Sequence, residues 1–153
     1  MDIQKLLEDN IYDIVEEAFH SMKCVKLKGY DKEGDERTKE KLRILYSVLS
    51  KSVKEKSFLP MINHVETIAR ERFSSGYDLY EVQTAINELE EAIWKRIFKG
   101  IKPDGLAEAL GIVSTVLGAG KDTLARTYVS LATKSKASSL NLQALFKGSE
   151  GNR

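Results

Sequence analysis

Two short patterns in this sequence combine residue types that can do chemistry. The first is GAGKDT at residues 118–123, which invites comparison with a phosphate-binding loop. That loop needs Gly-x-x-x-x-Gly-Lys-Ser/Thr, so that backbone amides meet the phosphates and a hydroxyl meets magnesium. Thr115 stands where the first glycine is required, and Asp122 stands where the hydroxyl is required. No strand is predicted before it, so we exclude a phosphate-binding loop here.

The second pattern is Glu17-x-x-His20, the spacing that places metal ligands on one helix face in di-iron bundles. Such a site needs two of these motifs and two further inward glutamates. The other histidine, His64, has Met61 three residues before it, so the second motif is missing. Two histidines and one cysteine are also too few for structural zinc. We therefore predict no metal site and expect His20 near a helix end, where a cation suits the helix dipole.

Nucleophilic catalysis requires a Ser or Cys beside a base. The single cysteine, Cys24, has Lys23 and Lys26 nearby, which favours a low thiol pKa, but no histidine close in sequence. His64 lies between apolar residues of a predicted helix and is expected to be a partly buried histidine. The sequence therefore predicts no catalytic residue, and a protein that acts by binding.

Composition supports a globular domain with an ordinary core. Hydrophobic residues make up 42% of the 153 residues and charged residues 31%. A lone cysteine favours a reducing compartment. The N-terminal segment has no basic region followed by an apolar run, and no stretch of about 18 apolar residues occurs. We therefore expect a cytoplasmic protein that does not engage a membrane.

Charge is distributed unevenly along the chain. Residues 1–22 carry one Lys and six Asp or Glu, whereas residues 23–56 carry 11 Lys or Arg and six Asp or Glu. The simplest interpretation is that oppositely charged helices lie side by side, within the fold or across a dimer. Nucleic-acid binding would need a basic face with aromatic residues that stack on bases. The basic stretch 23–41 offers only Tyr30 and is interrupted by acids, so we exclude a nucleic-acid partner.

Apolar residues recur with helical spacing through most of the chain, and no long stretch alternates as a strand would. The spacing predicts an all-α fold, a bundle of five or more helices with a long C-terminal helix. The predicted helices are Asp2–His20, Asp35–Lys56, Ser57 to about Gly76, Asp78 to about Gly100, and residues 103–134. The segment Lys23–Glu36 contains two glycines and is predicted to be a mobile loop.

Particular residues mark the helix ends. Asp78 and Glu81 form a capping box, and Tyr77 and Val82 are spaced as the hydrophobic staple that accompanies it. Gly76 suits the residue just beyond the preceding helix.

The long helix itself contains Gly111, Gly118 and Gly120, each unfavourable inside a helix. Either the helix kinks, or small residues let a neighbouring helix approach closely. A close approach of this kind between two chains is one reason to expect a homodimer.

The domain organisation follows from these boundaries. Residues 1–134 form a single helical domain. Residues 135–153 form a linker and a short apolar tail, which we expect to be flexible. The apolar positions of that tail form a candidate docking segment for a protein partner, although they can equally fold back onto the bundle; they are Leu140, Leu142, Leu145 and Phe146.

Aromatic residues concentrate around the third and fourth predicted helices. An aromatic stripe at helical spacing usually belongs to the core, and that is the first interpretation. The alternative is a ligand pocket lined by Phe73, Tyr77, Tyr80, Trp94 and Phe98.

The stretch IARERFSSGYDLYEVQTAINELEEAIWKRIF (68–98) resembles the N-terminal input domains of RsbR-type stressosome proteins and related histidine-kinase input domains. The shared pattern is a helix, a break at a glycine, and a second helix ending in Ile-Trp. The residues that match it are Ala69, Arg72, Gly76, Leu79, Ala85, Ile93 and Trp94.

This resemblance implies a globin-like fold without haem, and a non-enzymatic sensor domain of bacterial-type signal transduction that contacts protein partners. It also implies a homodimer. In stressosome proteins an output domain follows on the same chain, whereas only about 20 residues follow the last predicted helix here, so signalling in trans is expected. Related sensor globins hold haem by a histidine four residues before the glycine, and Arg72 occupies that position. A guanidinium stays protonated and cannot ligate iron, so no cofactor is expected.

The alternative is a carrier or sensor that binds a small ligand, or haem through His64. We expect the purified protein to show no Soret band after mixing with haem, because Arg72 replaces the ligand. The absorption spectrum checks this. A Soret band that disappears in His64→Ala would contradict the expectation.

Overall fold

The computed structural model describes the backbone of residues 1–151 and the side chains of residues 1–136. Over this range the chain forms only helices, so the predicted all-α fold of five or more helices with a long last helix is confirmed. The helices are α1 Ile3–Asp9, α2 Ile11–Lys23, α3 Lys28–Glu33, α4 Asp35–Glu55, α5 Leu59–Ser74, α6 Leu79–Gly100 and α7 Pro103–Gly151. No helix in this part of the chain is long and apolar enough to cross a lipid bilayer.

Five of the helices form a closed ring around one core. Helix α4 packs on α5, α5 on α7, α7 on α6, α6 on α2, and α2 on α4. Their apolar stripes meet inside the ring, where Ile14, Leu49, Val65, Leu89 and Leu117 are fully buried. The two short helices close the ring: α1 lies on α4 and α6, and α3 lies on the same two helices.

The predicted first helix consists of two helices, because the helical geometry is interrupted at Asn10. The backbone of Asn10 leaves helical geometry at φ −122° and ψ 17°, and its side-chain amide donates to the carbonyl of Leu6 (2.8 Å). The Leu7 carbonyl accepts a hydrogen bond from the Tyr46 hydroxyl (2.6 Å), and Arg96 donates to Asn10 Oδ1 (3.1 Å). Partners on α4 and α6 therefore hold a break that the apolar spacing cannot reveal.

The predicted mobile loop at residues 23–36 contains helix α3, and that prediction is therefore corrected. The loop prediction rested on Gly29 and Gly34, but Leu27 and Tyr30 are buried in the main core. Burial of these two side chains stabilises the turn of helix despite its glycines. The segment is thus part of the packed structure.

The predicted boundary between α5 and α6 agrees with the structure. Gly76 adopts φ +85°, a left-handed conformation that glycine tolerates without strain. The amide of Tyr77 donates to the Arg72 carbonyl (2.9 Å), which closes the end of α5. The amide of Asp78 then donates to the Glu81 carboxylate (3.2 Å), as expected for a capping box.

At Gly120 the absence of a side chain allows α7 to pack closely on α5. A Cβ built on Gly120 would lie 3.1 Å from Met61 Cγ and Sδ and 3.3 Å from Val65 Cγ2, both on α5. Gly118 faces solvent and a Cβ there would meet nothing within 4 Å. The close contact of α5 and α7 therefore depends on one of the two glycines.

The long helix leaves the body of the protein at its second half. Tyr128 is still buried, whereas residues 132–136 are exposed, and the helical backbone continues to Gly151. The helix thus includes the range 135–151, for which a linker and tail are predicted. The candidate docking residues Leu140, Leu142, Leu145 and Phe146 lie outside the residues whose side chains are described.

The two glycines make a matched pair for mutation. We expect Gly118→Ala to raise the free energy of unfolding by up to about 1 kcal/mol, since alanine favours the helix. Gly120→Ala should gain less because Met61 must move, and Gly120→Leu should lose about 1–3 kcal/mol through overpacking. Urea denaturation measures both. Equal gains for Gly118→Ala and Gly120→Ala would contradict the close-packing argument.

Candidate functional site

The structure does not bring the five predicted pocket aromatics together. The Phe73 ring packs edge-on against Tyr128, with 5.4 Å between centroids, and Tyr77 is buried against Tyr30 at 5.0 Å. The other three point outward on α6, where Tyr80 is 62%, Trp94 38% and Phe98 60% exposed. Phe73 and Tyr77 thus share the neighbour Tyr128, while the remaining three residues line no common space with them.

The histidines and the cysteine are dispersed. His64 is half-buried on α5, and burial, together with the nearby positive charge of Arg72, lowers its pKa. It lines none of the five cavities that we characterise. His20 lies 3.7 Å from Glu16, and Cys24 is exposed. Among the residues that the structure describes, no three His, Cys, Asp or Glu side chains are arranged to hold a metal ion.

The residues of the GAGKDT segment lie within one helix. Thr115 donates to the Gly111 carbonyl one turn earlier (2.6 Å), and Asp122 pairs with Arg126 (3.0 Å). Lys121 pairs with the buried Glu90 of α6 (2.7 Å). Each of these polar groups therefore has a partner within α7 or on α6.

A set of charged and tyrosine side chains, most of them buried and two of them partly buried, forms where α3, α4, α5, α6 and α7 converge. We name it the Arg72 cluster; it consists of Tyr30, Glu33, Lys41, Arg72, Tyr77, Glu81 and Tyr128. Buried charges are rare in protein interiors unless they are paired. A cluster of this kind in an otherwise apolar core is therefore the most unusual chemical feature among the described residues.

Arg72 stands at the centre of the cluster and is only 4% exposed. Its guanidinium carbon lies 5.8 Å from the centroid of the Tyr30 ring, within range of a cation–π interaction. Its Nε and Nη1 atoms are fully enclosed and have no hydrogen-bond partner among residues 1–136. Within that part of the chain no carboxylate forms an ion pair with Arg72, so its charge is not neutralised by contact.

Lys41 and Glu33 form the ion pair nearest to it. The Lys41 ammonium donates to Glu33 Oε1 and lies 5.1 Å from the centroid of the Tyr77 ring. Burial raises the pKa of Glu33, but the hydrogen bond and positive charge of Lys41, together with the charge of Arg72, outweigh this effect and leave the pKa below its usual range. Glu33 is therefore ionised at neutral pH, and its Oε2 is enclosed without a described partner.

Glu81 joins two elements through its two oxygens. Its Oε1 accepts from the amide of Gly29 at the start of α3 (2.7 Å), while its Oε2 accepts from Asp78 at the start of α6 (3.2 Å). Hydrogen bonds from backbone amides to a carboxylate are about twice as strong as neutral ones. The capping residue predicted from sequence therefore also anchors α3.

Two of the three tyrosines connect the cluster to the backbone. The Tyr128 hydroxyl donates to the Tyr77 carbonyl (2.9 Å), and the Tyr77 hydroxyl donates to the Gly29 carbonyl (3.1 Å). Burial raises the pKa of Tyr30 and of Tyr128 to about 12, with Arg72 opposing the rise in each case. Burial also raises the pKa of Tyr77, helped by the nearby negative charge of Glu33.

A small cavity of about 20 Å³ adjoins the guanidinium. Its polar lining comes from Tyr30, Thr38, Lys41 and Arg72, and the rest is aliphatic. This volume exceeds the roughly 10–15 Å³ that one water-sized sphere needs, so the cavity has room for one small species.

A larger groove of about 760 Å³ lies on the other side of the bundle, between the start of α1, the α4–α5 connection and α7. We call it the α7 groove. Its apolar lining includes Ile3, Val53, Phe58, Ile112 and Val116, and Phe58 is 47% exposed. A volume of 300–1,000 Å³ with mostly apolar walls is typical of small-molecule sites.

From the sequence alone, Arg72 is only a residue that blocks haem ligation. A signal for its burial existed, because Arg72 falls seven residues after Val65 and three after Ala69, on the apolar stripe of α5. The α7 groove was not predicted. Its signal was Ile112, an apolar residue outside the main stripe of the last helix.

Comparisons of this chain with family models, with curated proteins and with solved structures found no match.

The role of Glu81 is testable by an isosteric change. We expect Glu81→Gln to lower the free energy of unfolding by about 2 kcal/mol, since it removes two charge-assisted hydrogen bonds. The control is Glu91→Gln on the same helix, which removes an exposed pair with Lys95 and should change stability by less than about 0.5 kcal/mol. Urea denaturation compares them, and a loss of similar size in both variants would show that Glu81 is not a special anchor.

The tyrosines predict how stability depends on alkaline pH. Because the fold raises the pKa of Tyr30 and Tyr128 from 10.0 to about 12, it disfavours their ionised forms. Their contribution to stability is therefore complete below pH 10 and is lost as pH rises from 10 towards 12. The urea concentration at the midpoint of unfolding should fall over this pH range, and the absorbance of tyrosinate should report the ionisation of the tyrosines. Tyr30→Phe should reduce the fall and the exposed Tyr80→Phe should not; the same profile in all three proteins would contradict the assignment.

Proposed function

We propose that this chain is a non-enzymatic regulatory or sensor domain, which acts through protein–protein contacts in bacterial-type signal transduction, as its resemblance to RsbR-type input domains implies. The observation that carries the proposal is the course of α7. Its first half is part of the core and lines the α7 groove, and the same helix continues to Gly151 beyond the bundle. One continuous element thus connects a ligand-sized groove to the C-terminal segment.

The globin-like part of this proposal rests on the sequence resemblance, and the structure adds the pairwise packing of the helices. Helix α2 contacts both α4 and α6, while α7 contacts both α5 and α6. Arg72 reaches from α5 towards Leu42 of α4 and Val82 of α6, around a cavity of only about 20 Å³. A porphyrin needs far more space than this, so the filled centre supports a sensor without haem. No observation favours the alternative haem site at His64.

A signal could act through the α7 groove by simple population shift. A ligand shifts an equilibrium only when it binds two conformations with different affinity. A molecule seated in this groove would touch α1, the α4–α5 connection and α7 together, so a change in their spacing changes its contacts. The close packing of α5 on α7 at Gly120 supports transmission as a shift of the whole helix rather than a local bend.

The remaining parts of the proposal rest on the sequence. They are a cytoplasmic location, a homodimer, and contact with a protein partner of a signalling pathway through the tail residues Leu140, Leu142, Leu145 and Phe146. In this proposal, α7 carries the tail outward from the bundle.

Truncation after Lys136 tests the role of the tail. We expect removal of residues 137–153 to leave the midpoint of thermal unfolding nearly unchanged, because the core of α7 ends near Tyr128. Light scattering should show a dimer before and after truncation, since the homodimer is expected from the glycine-bearing part of α7. A fall of several degrees in the unfolding midpoint would show instead that the tail belongs to the fold.

A matched substitution separates a docking segment from one that packs onto the bundle. Replacing Leu142, Leu145 and Phe146 together by Ser should change the unfolding midpoint as little as Asn141→Ser with Gln143→Ser does. A fall of several degrees in the first variant alone would contradict the docking role of the apolar residues, and a monomeric wild-type protein at micromolar concentration in light scattering would contradict the homodimer.

A further inference from the structure

The buried guanidinium of Arg72 is not neutralised by any direct partner in the described part of the chain. A guanidinium is always protonated in proteins, so it cannot escape burial by losing its charge. Burial of an unpaired charge is strongly unfavourable, and groups in this position are paired or bind an ion. Two of its donors, Nε–H and Nη1–H, are enclosed with nothing to receive them. The fold therefore contains an unmet requirement for an acceptor.

The cavity beside Arg72 has a size and a lining that suit one small hydrogen-bond acceptor. It has a volume of about 20 Å³, and its walls carry two cations, Arg72 and Lys41, and no carboxylate. Aliphatic side chains such as Leu42, Ile68 and Ile86 form the rest of the wall. A polyatomic anion such as sulfate would not fit in this volume.

The nearby carboxylates already accept hydrogen bonds from other groups. Glu81 uses both oxygens to accept from the amides of Gly29 and Asp78. Glu33 accepts from Lys41 through Oε1, and although its Oε2 is free of described partners, Glu33 does not line the cavity. Neither carboxylate therefore neutralises Arg72 by direct contact.

A halide ion satisfies these groups better than a water molecule. A buried water typically makes about three hydrogen bonds and must place its own hydrogens on acceptors. Thr38 donates its hydroxyl hydrogen to backbone carbonyls and keeps an oxygen that can accept from a water, so a water is the competing occupant. A halide accepts from both guanidinium donors and also places a negative charge beside Arg72 and Lys41, which a water does not.

We propose that this cavity is a binding site for a single halide ion, chloride under physiological conditions, held by Nε–H and Nη1–H of Arg72 with Lys41 contributing long-range attraction. This site is independent of the proposed sensor function and of the α7 groove. Chloride is then a structural ligand that couples α5 to α4 and α6 at the centre of the bundle.

Bromide provides a direct test on the wild-type protein. Crystals grown in sodium bromide should show an anomalous scattering peak in the cavity, within contact distance of Arg72 Nε and Nη1. Bromide peaks confined to the surface, with a water or no density in the cavity, would overturn the proposal. This outcome does not depend on the folding of any variant.

Stability in matched salts tests the same site in solution. Replacing sodium gluconate by sodium chloride at equal ionic strength should raise the unfolding midpoint of the wild type by about 3 °C or more, because the folded state alone binds the ion. Arg72→Met should remove this response while remaining folded, since a hydrophobic residue of similar length is tolerated at buried charged positions. The control is Arg70→Met on the same helix, where Arg70 is exposed and paired with Glu66.

The two variants give opposite outcomes under the proposal. A chloride response that survives in Arg72→Met but not in Arg70→Met, or that is equal in all three proteins, would assign the effect to surface charges and overturn the site. Absence of any chloride response in the wild type would overturn it as well. If Arg72→Met fails to fold, the bromide experiment alone decides.

Discussion

The burial of Arg72 is the constraint on which the centre of this structure depends. A permanent positive charge inside an apolar ring needs groups around it that stabilise it. Tyr30 of α3 offers its ring face, while Tyr77 and Tyr128 lie near enough for the charge of Arg72 to oppose the rise of their pKa. The short helix α3 stays packed despite its glycines because Glu81 accepts from the amide of Gly29. Electrostatics around Arg72 and Glu81 therefore helps to fix how α3 closes the ring.

The two ends of the bundle differ in character. Around Arg72 the space is almost filled and polar groups are tied to backbone atoms, which favours one rigid arrangement. On the opposite side the α7 groove is open, apolar and lined by the ends of several elements. Helix α7 reaches both regions, with Tyr128 in the Arg72 cluster and Ile112 in the α7 groove.

Charge patterning and tertiary packing agree at the level of segments. The acidic first segment meets the basic second segment through the pair of Glu16 with Lys39 (3.2 Å), and α6 meets α7 through Glu90 and Lys121 (2.7 Å). Both pairs join different helices, as the uneven charge distribution suggests. The exposed i,i+4 pairs contribute little, since solvent screens them.

The sequence by itself determined the elements whose signals are local. Apolar spacing predicts α4 to α7, and the Asp78–Glu81 pair with Gly76 predicts where α5 ends and α6 begins, because caps and stripes depend on neighbouring residues only. Tertiary structure decided what depends on distant partners. Tyr46 and Arg96 hold the break at Asn10, Leu27 and Tyr30 convert a glycine-containing loop into α3, and helices packed on α5 enclose Arg72. Tyr80, Trp94 and Phe98 lie outside because the inner face of α6 is already filled by aliphatic residues, a competition for space that only the assembled ring resolves.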